Sequence, residues 1–294
     1  MELNRKVDKK PFFIMGIIFA LIVISFFISL NLGYIRIAPL DVLKTLFGYG
    51  TDKEKLVLFD FRLPRMVIAV LIGAGLAISG AILQGVSQNG LADPGILGIN
   101  AGAGLAVVLF IFFFQGSTSS LGMLSIFIMP FAALLGGAFA AFLIYTIAWK
   151  KGVTPTRLIL VGIGVNAAFG ALLIVFQLKM NPRDFMQATI WLSGSIWGTN
   201  WKFVLAILPW ILFLIPFTIY KARYLNVLNL GDNTATGLGA AVERERRKLL
   251  LLAVGLAGSC VAVGGGIAFV GLVAPHLARR VVGPKHQIML PTTA

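Results

Sequence analysis

Residues 66–83 read MVIAVLIGAGLAISGAIL, a run without one charged side chain. A bilayer core about 30 Å thick is crossed by roughly 20 apolar residues of helix, so this run is long enough to span. Gly73, Ala77 and Gly80 fall on roughly one helix face, and small faces of this kind let helices approach closely in lipid. Working outward, more runs share its character: Phe12–Leu32, Ile96–Phe114, Met123–Trp149, Leu158–Leu178, Phe203–Tyr220 and Leu249–Val270. Phe185–Trp197 and Val273–Val282 are too short to span easily.

The composition agrees. Of 294 residues, 58% are hydrophobic and 12% charged, and the mean hydropathy is +0.92. A soluble domain carries about 25% charged residues. The expectation is an all-α polytopic membrane protein, a bundle of transmembrane helices, which excludes a soluble globular enzyme and a disordered chain. A formal charge of +14 suggests nucleic acid only when it gathers on an exposed patch, and here it is spread between apolar runs. Cys260 stands alone inside such a run and reads as a small buried hydrophobe. His276 and His286 have no cysteine cluster near them, so no metal site is expected.

Charge by loop sets the orientation. Arg5, Lys6, Lys9 and Lys10 precede the first run, which reads as a retained anchor with the N-terminus in the cytoplasm. The loop with Lys150, Lys151 and Arg157 is then inside, and so is Lys221–Lys248. The stretch Asn31–Arg65 is outside, and Arg279 and Arg280 are also expected there. No long run contains Asp or Glu, whereas ion-coupled carriers place carboxylates within the membrane.

The second and seventh runs resemble each other. Arg62 pairs with Arg247, Leu71 with Leu256, Gly73 with Gly258, Ala77 with Ala262, Gly80 with Gly265 and Ile82 with Ile267, each pair 185 positions apart. The seventh run comes five crossings after the second, an odd number of steps, so they cross in opposite directions. That is the inverted repeat of many transporters, with the path at the repeat interface. The first half-repeat covers about 62–178 and the second starts at about 247.

Four constellations stand out. Arg62-Leu63-Pro64-Arg65 opens the second run, with Pro64 well placed at a helix start. Its arginines are either interface anchors or a lure for an acidic partner. Leu83–Gly104 carries polar Gln84, Gln88 and Asn89, then Gly90, Pro94 and Gly95. Irregular backbone at membrane depth is tolerated where protein or a water cavity covers it. Leu225–Gly239 places Asp232 to N-cap a short helix, Asn233–Leu238, a docking element for a soluble partner. Gly264–Gly283 interrupts an apolar stretch with three glycines and Pro275. Gln84 and Asn166 are polar within apolar runs, and either line a cavity or bond between helices.

Together these strings resemble the FecCD family, the permease subunits of ATP-binding-cassette importers for iron-siderophores, haem and cobalamin. The resemblance rests on R-L-P-R, N-G-L-A-D-P, L-G-D-N-T-A-T-G-L-G and G-G-I-A-F-V-G-L-V-A-P-H-L-A-R, in order along nearly the whole chain. It implies a dimer of permeases, homo- or heteromeric, with a central pore lined by the fifth helices, where Gln84 and Asn166 are the pore-lining candidates. It implies cytoplasmic ATPase subunits docked on Asn229, Leu230, Gly231, Asp232, Ala235, Leu238 and Gly239. An extracytoplasmic substrate-binding protein would dock on Arg62 and Arg65. The cytoplasmic gate would lie at Asn89 and Leu91, and at Pro155 and Thr156. It also implies a bacterial cell membrane and a ferric siderophore as cargo, with no cofactor and no reaction catalysed by the chain itself. No Gly-Lys dipeptide, and so no nucleotide-binding P-loop, is present.

The sequence departs from the family at Gly90, where proline is usual, and at Leu290–Ala294, where two more helices of a ten-helix fold are expected to follow. Residues 1–294 thus read as a single transmembrane permease domain with an incomplete second half-repeat. The alternatives are an ion-coupled secondary transporter and a truncated, non-functional permease.

Overall fold

The computed structural model describes residues 10–31, 37–95, 98–114, 125–150 and 152–294. The basic flank Arg5–Lys9, on which the orientation rests, lies outside them. All regular structure among the described residues is helical. Six helices are long and apolar enough to cross a membrane. The third expected run forms a shorter helix, Ile99–Phe114.

The chain starts with α1 (Lys10–Asn31) and a short amphipathic α2 (Pro39–Leu46). Next comes α3 (Asp52–Lys55), opened by a reciprocal cap in which Thr51 Oγ1 accepts from Glu54 N and Glu54 Oε2 accepts from Thr51 N at 2.7 Å. A π-helical stretch, Leu56–Arg62, runs on into α4 (Leu63–Ser87). The run expected from Met66 is therefore the latter part of one continuous helical segment, Asp52–Ser87. Then follow α5 (Ile99–Phe114), α6 (Ser125–Ala148), α7 (Pro155–Leu178) and the short α8 (Pro182–Leu192). The second half holds α9 (Trp201–Leu228), α10 (Asp232–Gly237), α11 (Val242–Gly264), α12 (Val270–Val282) and α13 (His286–Thr293).

The core is built on α4 and α11. In each, 61% of the most apolar window is buried, against 6% in α1. An apolar helix with no protein around it is a helix for lipid. The central pair is antiparallel: Ile72 lies by Gly264 and Gly75 by Cys260, and Ser79 Oγ donates to the Ala253 carbonyl at 2.8 Å. This is the crossing direction that the repeat requires.

Helix α12 packs on α4 through Gly80 and Gly271, where a Cβ on Gly80 would collide with the Gly271 backbone. Small residues here permit backbone-to-backbone approach. The break between α11 and α12 is stitched to the α8–α9 turn, where Ser195 N donates to the Gly264 carbonyl and Gly266 N to the Trp191 carbonyl. Thirteen residues of α12 extend about 20 Å. Starting at the depth of Gly80, it runs toward the end of the bundle where α9 finishes. There His286 N and Nδ1 both lie on Asn226 Oδ1, at 3.0 and 2.7 Å. Arg279 and Arg280 thus belong to the end of the bundle that carries Leu228. This corrects the expectation that they share the outer mouth with Arg62, because α12 returns instead of continuing outward.

Candidate functional site

One end of the bundle gathers the α4–α5 loop, the α6–α7 turn, the α9–α11 segment and the start of α13. Helix α9 continues through Lys221 and stops only at Leu228, two turns beyond the apolar run. Lys221 is therefore buried in a helix and not in a loop, a correction with a clear cause. Its Nζ meets Glu245 Oε2 at 2.7 Å and lies 4.4 Å from the Tyr224 ring centre. Lys248 Nζ holds the other oxygen of Glu245 at 2.8 Å. A buried ammonium is tolerated when it is paired in this way.

Asn229 caps the C-terminus of α9, and Gly231 turns the chain with φ +91°. The short helix lies at Asp232–Gly237, one residue earlier than Asn233–Leu238. Its N-cap is Gly231, with no side-chain cap, so Asp232 does not play the capping role expected of it. The carboxylate is taken by Arg246 instead, at 2.5 Å. A guanidinium 1% exposed needs an acid more than a helix end open to solvent does. Ala235 is fully buried beneath α10, Leu230 and Leu238 are 57% and 66% exposed, and Gly239 leaves the segment at φ +82°. Two apolar side chains thus face outward on a short element fastened from below.

The α4–α5 loop begins at Gln88, in the left-handed region at φ +49°. Its side-chain amide donates to the Leu228 carbonyl at 2.7 Å. Asn89 Oδ1 accepts from Leu91 N at 2.9 Å, a local turn that leaves the Leu91 side chain exposed. Asp93 Oδ2 accepts from Gly95 N at 3.0 Å. Burial against Gly271 pushes the Asp93 carboxyl above its ordinary range. Pro155 and exposed Thr156 open α7 behind buried Val153. The two halves of the expected gate share one end of the bundle, and no hydrogen bond among the described residues joins them.

Of its two roles, Gln84 takes the interhelical one. It is 3% exposed and its amide donates to the carbonyls of Gly271 and Leu272 at 3.3 and 3.2 Å. Pro275 has no N–H to give the Gly271 carbonyl one turn back on α12, so that carbonyl takes its donor from Gln84. Asn166 is exposed on α7.

At the opposite end, Arg62 donates to the Leu30 carbonyl. Arg65 donates to the Trp197 carbonyl at 3.0 Å and lies 4.2 Å over that ring. Both line a cleft of about 750 Å³ with Lys53, Asp60 and Asn200. Reading the sequence missed Trp197, whose only local signal was its place just beyond α8, and it missed Arg246, which looked like one more basic residue in a basic loop.

Comparisons with known proteins place this arrangement. The model of the FecCD transport family matches residues 21–294. The chain is 66% identical to the iron(3+)-hydroxamate import system permease protein FhuG of Bacillus subtilis (strain 168), over 97% of this chain and 85% of the relative. It is 44% identical to the iron-uptake system permease protein FeuC of the same organism, covering 92% and 82%. It is 36% identical to the Fe(3+) dicitrate transport system permease protein FecD of Escherichia coli (strain K12), covering 91% and 80%. A solved structure of a metal-chelate type ABC transporter in an inward-facing conformation superposes with TM-score 0.80 at 30% identity, over 95% of this chain and 85% of that one. The chain is therefore a multi-pass membrane protein, and it belongs to the FecCD transport family.

Proposed function

We propose that the chain is the permease subunit of an ATP-binding-cassette importer that moves a ferric siderophore of the hydroxamate class from an external binding protein to the cytoplasm. The observation that carries the cargo class is 66% identity, over 97% of the chain, to an iron(3+)-hydroxamate permease. The N-terminus faces the cytoplasm, so the end with α10 is the cytoplasmic one.

ATPase subunits dock on 229–239, where Leu230 and Leu238 supply exposed apolar contacts on a fastened helix. The binding protein docks at the other end, where Arg62 and Arg65 present positive charge beside an open cleft. A second permease subunit covers α7, whose Leu160, Ile163, Ile174 and Leu178 are exposed apolar residues, and Asn166 faces the path between the two. Asn89, Leu91, Pro155 and Thr156 close its cytoplasmic end. The chain itself catalyses nothing. ATP hydrolysis in the partner moves the docking segment, and the bundle converts that movement into alternating access.

The test is uptake of iron-loaded hydroxamate chelate into proteoliposomes holding this chain with its ATPase and binding protein. ATP-driven uptake that exceeds uptake of catecholate, citrate, haem and cobalamin cargo is expected. Uptake that ignores ATP and follows an imposed ion gradient overturns the reading. Deletion of 229–239 is expected to remove the ATPase from a pull-down.

A further inference from the structure

We propose that Arg246 is the positioning residue that transmits movement of the ATPase-docking helix to the cytoplasmic gate. The inference rests on the docking reading above and adds to it a specific route.

Arg246 is 1% exposed, and its guanidinium joins three elements. Nη2 holds Asp232 Oδ1 of α10 at 2.5 Å. Nη1 donates to the Val153 carbonyl at 2.6 Å. The same Nη1 reaches Glu243 Oε1, one turn back on α11, at 3.1 Å. Glu243 Oε1 in turn accepts from Val153 N at 3.0 Å. Both peptide groups of Val153 are therefore held by one Arg–Glu pair, as a neighbouring strand would hold them. Two residues later α7 begins at Pro155. The remainder of the α6–α7 turn is tied to α7 itself, since Arg157 Nη1 donates to the Ala148 carbonyl at 3.1 Å.

The docking helix is built to move as a unit. Gly231 and Gly239 bound it at φ +91° and +82°, and its only ion pair among the described residues is the one to Arg246. A push on Leu230 or Leu238 thus reaches Asp232, then Arg246, then Val153, and so the start of α7. Buried ion networks add little net stability, so stability alone does not account for placing one here. A planar fork with fixed donors suits the task of holding a carboxylate and a carbonyl at once, whereas an ammonium on a flexible stem does not hold that geometry.

The experiment uses the assembled transporter and two substitutions, Arg246→Lys and Glu243→Ala, the second removing the acceptor of Val153 N. Three quantities are read: ATPase co-purification, ATP hydrolysis and chelate uptake per ATP. Both variants are expected to keep the ATPase bound and hydrolysing, while uptake per ATP falls about tenfold, the scale of an ordinary coupling free energy between sites. The double variant is expected to be no worse than either single, because both act on one link. Unchanged uptake per ATP in either variant overturns the proposal. So does loss of the ATPase from a folded Arg246→Lys protein, which makes the residue part of docking alone. If Arg246→Lys fails to fold, Glu243→Ala decides, its side chain being 38% exposed. Failure of the docking reading is seen separately, as an ATPase that stays bound when 229–239 is deleted.

Discussion

The two ends of the bundle treat their basic residues in opposite ways. At the α10 end, Lys221 and Lys248 share Glu245, and Arg246 holds Asp232 and Glu243. Three cations meet three carboxylates, and the cluster is neutral within itself. At the other end, Arg65 is held by a carbonyl and an aromatic face, and no carboxylate among the described residues comes within 4 Å of it. A carbonyl orients a guanidinium without neutralising it. The first arrangement fixes elements to one another, and the second keeps charge available for a partner.

The largest expected effect tests the first half of that contrast. Glu245→Ala strips Lys221 of its acid while leaving it buried. Breaking a buried pair from one side costs about 3–5 kcal/mol. Thermal unfolding of the purified protein is expected to move strongly downward, and far less for Glu245→Gln, which keeps a hydrogen-bond acceptor. A Glu245→Ala protein as stable as its parent would show that the neutral cluster is not what holds this end.

The same end contains one base that stays uncharged. His286 is buried between α4, α9 and α12, and burial first, then the Arg279 charge, lower its pKa from the ordinary 6.5 to about 4. Between those values the unfolded chain binds a proton that the folded chain does not, so stability falls as pH drops through the window. A shift of this size corresponds to about 3 kcal/mol once pH lies below both values. Unfolding measured from about pH 7 down to pH 4 is expected to show this loss, and His286→Gln is expected to flatten it.

These residues also show where the sequence was legible. The central helix, the antiparallel partner and the short helix α10 all followed from apolar runs, glycine spacing and chain punctuation, which are local or periodic signals. The burial of Lys221 did not follow. The apolar run ends at Tyr220, and only Glu245, 24 residues on, makes two further turns of helix stable with a lysine inside. The direction of α12 was missed because a stretch interrupted by glycine reads alike whether the chain turns back or continues. What decides it is the fit of Gly271 on Gly80 and the hold of Asn226 on His286, contacts between distant segments. Gln84 left two roles open until the helix crossing above it was known.

The second half of the contrast is tested by Arg65→Ala. An arginine over an exposed ring contributes about 0.5–1 kcal/mol, so unfolding is expected to shift slightly. Docking of the binding protein is expected to weaken much more, and the deficit of the variant relative to the parent is expected to grow as salt is lowered, because salt screens the attraction that the variant lacks. Equal losses of stability and docking would make Arg65 a structural residue like those at the opposite end.

The smallest effect is expected at an ion pair that belongs to the Arg65 end by position yet resembles the α10 end by composition. Lys44 and Asp41 lie 3.5 Å apart on α2, with side chains 64% and 43% exposed. Water screens such a pair, and ordering two side chains offsets much of the attraction, leaving about 0–1 kcal/mol. Lys44→Ala is therefore expected to leave the unfolding temperature within measurement error. If burial and not mere pairing makes the Glu245 cluster matter, these two substitutions must differ severalfold, and a Lys44→Ala loss as large as that of Glu245→Ala would remove burial as the reason the two ends behave differently.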